Sequence, residues 1–137
     1  MKIVIDTNIA AALLLRLSYS DAARTAVARA SSLIAPDLIF HEMANLLWRL
    51  TTTGTIDSRL AHRVLDEVPT LLSDCIAGRD LLPETFDLAV TLAHPAYDCF
   101  FVRAAVGNDA LLLTADRRLA KALGDSQFKI RYQLISA

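Results

Sequence analysis

The stretch IVIDTN, Ile3 to Asn8, decides the reading of this chain. An apolar run with the pattern of a buried strand stops on the carboxylate of Asp6, with the amide of Asn8 two places on. In an open parallel sheet the carboxyl ends of strands are where sites form. Whether Asp6 marks a site or only caps a helix depends on where the other acids fall.

Outward from this stretch, strand-like runs recur at SLIA (32–35), ALLLT (110–114) and YQLIS (132–136), with KIVI (2–5) as the first. The segments between them carry helical patterns. DAARTAVARA follows Ser20. DLIFHEMANLLWRL places apolar residues at 39, 43, 46, 47 and 50, the helical period. DSRLAHRVLDEV follows Gly54 with Asp57 as its N-cap, and PETFDLAVTLA opens on Pro83, a residue suited to a first turn. A further helix covers Ala96 to Val106, and RRLAKAL closes at Gly124. LLSDCIAG (71–78) reads as an edge strand or an extended connection. Short apolar strands alternating with helices predict a parallel sheet of four to five strands covered on both faces, a three-layer α/β/α sandwich. A length of 137 residues fits one domain over 1–137.

Composition narrows the class. No apolar run approaches the roughly 18 residues of a membrane span, since IAAALLL from Ile9 is cut by Arg16. Asp6 falls where the apolar part of a signal peptide would lie, so a cytoplasmic protein with no membrane attachment is expected. Cys75 and Cys99 form no CxxC pair and read as buried free thiols. A net charge of −1 argues against a general nucleic-acid glue. Lys2, Lys121 and Lys129 are the only lysines, however, and the planar fork of arginine suits phosphate.

Four acids stand out. Asp6 and Asp116 each follow a strand run, and for both the structural alternative is an N-cap. Glu42 lies at the margin of the stripe formed by Ile39, Met43, Leu46, Leu47 and Leu50. Asp98 precedes Phe101, Val102 and Ala105 at i+3, i+4 and i+7, so it heads an apolar helix face. A charge there needs an arginine, a metal or a proton. Arg103, at i+5, is poorly placed to pair with it. Two acids at strand ends and two on inward helix margins can converge, and clustered carboxylates repel unless they hold a hard cation such as Mg²⁺ or Mn²⁺. Such a site suits phosphodiester hydrolysis. Other chemistries lack their residues. HEMAN has Asn45 where a zinc protease needs its second histidine. His41, His62 and His94 read as isolated, and there is no GxSxG elbow.

With those residues in view, IVIDTNI, HEMANLLWRL, AYDCFFVRAA and LLLTADRRLA together resemble, in order, the four acidic motifs of PIN-domain nucleases. The likeness is greatest to the VapC-type toxins of toxin–antitoxin pairs, and it covers essentially the whole chain. Cys99, where the family usually has a small apolar residue, is a mild departure. The resemblance implies a Mg²⁺- or Mn²⁺-dependent endoribonuclease that works as a homodimer on an RNA substrate and is blocked by a cognate antitoxin. On it, Asp6 and Asp98 match the main metal ligands. Asp116 completes the site or holds a second ion, and Glu42 acts through water or orients the nucleophile. Asn8 and Thr114 match the polar residues that support those carboxylates, and Arg117 and Arg118 are candidates for the RNA backbone.

Two alternatives come from other classes. IVIDTN and LLLT echo haloacid-dehalogenase-type phosphatases, but Asn8 stands where the acid–base aspartate would be. ANLLWRLTTTGTIDSRLAHRVL, with Arg59 and Arg63 on its second helix, can be read as the helix-turn-helix of a DNA-binding regulator.

Overall fold

Ile3, Val4 and Ile5 are fully buried because their strand lies at the centre of the sheet. In a computed structural model describing residues 1–137, β1 (Lys2–Ile5) is the middle of five parallel strands. The others are β2 (Ser32–Pro36), β3 (Asp74–Ile76), β4 (Leu111–Thr114) and β5 (Tyr132–Leu134), in the order β3-β2-β1-β4-β5. Val4 is in register with Ile34 on one side and Leu112 on the other. Three neighbouring strands are thus apolar on both faces, as a sheet between two helical layers requires.

The helices are α1 (Thr7–Leu14), α2 (Ser20–Val27), α3 (Leu38–Thr52), α4 (Ser58–Leu71), α5 (Leu82–Leu92), α6 (Ala96–Gly107) and α7 (Arg117–Asp125). Right-handed crossovers put α1 to α4, which pack on one another, on one face. The other face is covered by α6 against β1, β2 and β4, with α5 packed on α6, and by α7 against β4 and β5. Ile39, Met43 and Leu47 are the buried stripe of α3.

Strand order reverses between β1 and β4: the chain steps outward from β1 to β2 and β3, then crosses back to β4. That reversal opens a crevice at the carboxyl ends of β1 and β4, the switch point where ligands bind in such sheets. Asp6 and Asp116 follow those two ends. α3 leaves the same edge after β2. α6 precedes β4 and runs antiparallel to it, which brings its N-terminus, and Asp98, to the same edge.

LLSDCIAG contains a strand, β3, of three residues at the sheet edge, the first of its two readings. Two local expectations need correction. Cys75 on β3 is exposed rather than buried, while Cys99 inside α6 is buried as expected. Gly124 does not end α7, which continues to Asp125. A Cβ at Gly124 would come within 3.0 Å of the Tyr132 hydroxyl, so close packing of helix on strand accounts for this glycine.

Candidate active site

Asp6 sits in extended backbone at the N-cap of α1, its Oδ1 accepting the Ile9 amide at 2.9 Å. Asp116 caps α7 in the same way, its Oδ1 accepting the amides of Arg118 and Leu119 at 2.8 and 3.2 Å. The capping and site readings of these residues are therefore compatible. One oxygen of each satisfies the helix end, and the Thr114 hydroxyl also draws on Asp6. Glu42 is held likewise, with Oε1 accepting the Thr7 hydroxyl at 2.7 Å. So is Asp98, whose Oδ2 lies 2.7 Å from Nε2 of His94. Each of the four carboxylates is thus held through one oxygen.

All four line one cavity of about 470 Å³. Its wall is completed by Thr7, Asn8, Leu38, His41, Asn45, Leu46, Arg49, Tyr97 and Phe101. Electrostatics reports the same convergence. Burial pushes the Asp6 carboxyl up to about 6, and the charges of Asp98 and Asp116 add to it, against the pull of the Thr114 hydroxyl and the Ile9 amide. Glu42 is also raised, by burial first and by the Asp98 charge, while the Thr7 hydrogen bond opposes the shift. Four carboxylates lining one space, with the proton affinities of Asp6 and Glu42 raised, are oxygen donors of the kind a hard divalent cation takes. One ligating atom each from His94, Asp98 and Asp116 already lies within 4.8 Å of the others.

The supporting residues differ in part from expectation. Thr114 is buried, its hydroxyl accepting the Asp116 amide at 3.0 Å while facing Asp6. Asn8 lines the cavity but is exposed and bonds none of the carboxylates through its side chain; Thr7 beside it holds Glu42. Arg117 and Arg118 are exposed on the first turn of α7 and do not line the cavity. The arginine that does is Arg49, seven residues after Glu42 and so on the same face of α3. Arg103 lines a separate hollow with Glu84 and Asp87. His94 is not isolated: its side chain is 7% exposed and pairs with Asp98, whose own is 33% exposed. The ring precedes α6, so no helical repeat in the sequence marked the pair.

The sequence profile described as PIN domain matches residues 3–123. The chain belongs to the PIN domain family. Among characterised proteins, this PIN domain is 32% identical over 123 residues to ribonuclease VapC3 of Pyrobaculum aerophilum, covering 88% of this chain and 94% of that one. Its fold is that of a crystal structure from the same organism, with TM-score 0.70 and 22% identity over 89% of this chain and 84% of that one. It is also that of VapBC2 from Rickettsia felis, solved with a DNA fragment from its promoter. There the TM-score is 0.66 and identity 11%, over 99% and 100% of the two chains. VapBC-1 of nontypeable Haemophilus influenzae matches with TM-score 0.63 and 14% identity over 98% of both.

Proposed function

We propose that this PIN domain is an endoribonuclease that hydrolyses RNA phosphodiester bonds with Mg²⁺ or Mn²⁺. It acts as the toxin of a toxin–antitoxin pair, in the cytoplasm. The observation that carries the reading is the set of four carboxylates, each held through one oxygen, around a single cavity. The likeness to a VapC ribonuclease supports RNA as the substrate, and the VapBC neighbours support an antitoxin partner.

Asp6, Asp98 and Asp116 would hold the cation directly, with Glu42 acting through water. When bound, such an ion polarises a phosphate and lowers the pKa of a water at the site. The chain's own contribution is geometric. Thr7 keeps Glu42 turned to accept a hydrogen bond from the attacking water, which aligns its lone pair with the phosphorus. Arg49, on the cavity wall about two turns beyond Glu42 on α3, grips a phosphate oxygen with its planar fork. Tyr97, exposed on the rim beside Asp98, offers a ring face to an unpaired base. That combination selects single-stranded RNA over a stacked duplex.

The chain also leaves apolar surface uncovered. Leu82, Phe86 and Val90 are exposed at four-residue spacing along α5, and Trp48 and Leu65 are exposed on α3 and α4. Tracts of this kind mark protein interfaces. We assign the α5 strip to a homodimer and the α3–α4 face to the antitoxin.

The deciding experiment is incubation of the purified chain with total RNA, with Mn²⁺ and with excess EDTA, followed by mapping of the cut ends. Internal cuts that need Mn²⁺ are expected. Arg49→Ala should weaken cleavage across all cut sites alike, and more than Arg118→Ala does. Undiminished cutting in EDTA, or release of phosphate from small esters without internal RNA cuts, would refute the proposal.

A further inference from the structure

His94 sits in a short, conformationally constrained connection between two helices. The chain leaves α5 through Ala93 in the left-handed conformation, φ 51°, a strained choice for a residue with a side chain. The His94 amide then bonds back to the Ala89 carbonyl at 3.2 Å, closing the end of α5. Pro95 follows, with φ fixed by its ring, and α6 begins at the next residue. Backbone strain in so short a connection is retained where the geometry it imposes has a use. What it imposes is the placement of one imidazole, 7% exposed, with Nε2 2.7 Å from Oδ2 of Asp98.

We propose that His94 is a positioning residue for the metal site: it donates its Nε2–H to Oδ2 of Asp98 and so leaves Oδ1 as the single, fixed ligand. The inference rests on the metal-site reading above. The Nε2 that donates to Asp98 has no lone pair left for a cation, so through this nitrogen His94 acts on the ion only by way of the carboxylate. Without the bond, Asp98, a third exposed at the start of α6, is free to rotate about its last side-chain torsion, which is broad. The other three acids have their fixing bonds from backbone amides or Thr7. Asp98 has only His94. Hydrogen bonds that orient ligating groups in this way set metal affinity, and their removal costs on the order of 10- to 100-fold.

The test compares wild type, His94→Leu and His94→Gln by Mn²⁺ titration calorimetry, with thermal melts in EDTA and with pulsed electron paramagnetic resonance of Mn²⁺ bound to ¹⁵N-labelled wild type. Leucine should weaken Mn²⁺ binding about 10- to 100-fold. Glutamine, with an amide donor of similar reach, should restore most of the affinity. The three proteins should melt alike in EDTA, and wild type should show no coupling from a directly bound nitrogen. Such a coupling, with glutamine as weak as leucine, would make His94 a ligand and overturn the proposal. A lowered melt in EDTA with unchanged Mn²⁺ affinity would reduce His94 to a structural role. If wild type itself takes up no Mn²⁺, the metal-site reading fails first, and that outcome is distinct from either.

Discussion

Asp6 carries the conflict built into the site. Burial, with the Asp98 and Asp116 charges behind it, raises its carboxyl from 3.8 to about 6. The folded chain therefore binds this proton more tightly than the unfolded chain does, and ionisation destabilises the fold. The penalty is absent below 3.8, grows as pH rises towards 6, and is fully present above it, at roughly 3 kcal/mol. Asp6→Asn keeps an oxygen for the Ile9 amide, and asparagine is as good an N-cap as aspartate. In EDTA at pH 7.5 the variant is expected to melt above wild type, and the gap should close as pH falls towards 4. In saturating Mn²⁺ the order should reverse, because the cation converts the repulsion into binding energy. A variant that melts lower than wild type in EDTA at pH 7.5 would show that Asp6 is structural.

At the scale of elements, three of the four acids stand at or near helix N-termini. Asp6 and Asp116 cap α1 and α7, and Asp98 occupies the first turn of α6. Helix N-termini favour negative charge, which partly offsets the crowding of carboxylates. The dual role of Asp116 can be separated. Asp116→Asn preserves the cap, so the metal-free melt should hold while Mn²⁺ affinity falls. Asp116→Ala should lose both, with about 1 kcal/mol of stability going with the cap. Equal melts for the two variants in EDTA would mean that the cap contributes nothing. The same elements explain what the sequence made legible. Strand ends and helical stripes are periodic, so Asp6, Glu42, Asp98 and Asp116 stood out by position, and the parallel order of the sheet followed from alternation. Arg49 shared the period of Glu42 but was masked among other arginines. His94 and Thr7 act across element boundaries, where no period runs, and only the folded chain brings them to Asp98 and Glu42. β3 was ambiguous because an exposed edge strand of three residues lacks the apolar run that marks its neighbours.

For the whole molecule, the surface of α5 is the feature that the monomer leaves unexplained. Leu82, Phe86 and Val90 are 53%, 65% and 65% exposed, and four-residue spacing puts them on one side of the helix. The opposite side is already occupied, since Thr85 and Leu88 are buried and α5 packs on α6. A straight apolar strip suits an identical strip running antiparallel to it. A two-fold axis through Phe86 would bring each strip onto the other. None of Leu82, Phe86 and Val90 lines the acidic cavity, so pairing through this strip leaves the cavity's own lining unchanged. Phe86→Glu places a charge at the centre of the proposed contact. Because Phe86 is already exposed, the substitution should not unfold the monomer. Sedimentation at micromolar concentration is expected to give a dimeric mass for wild type and a monomeric mass for Phe86→Glu, with Mn²⁺ affinity equal in the two. A dimer that survives Phe86→Glu would move the interface off α5, and a monomeric wild type would remove the dimer altogether.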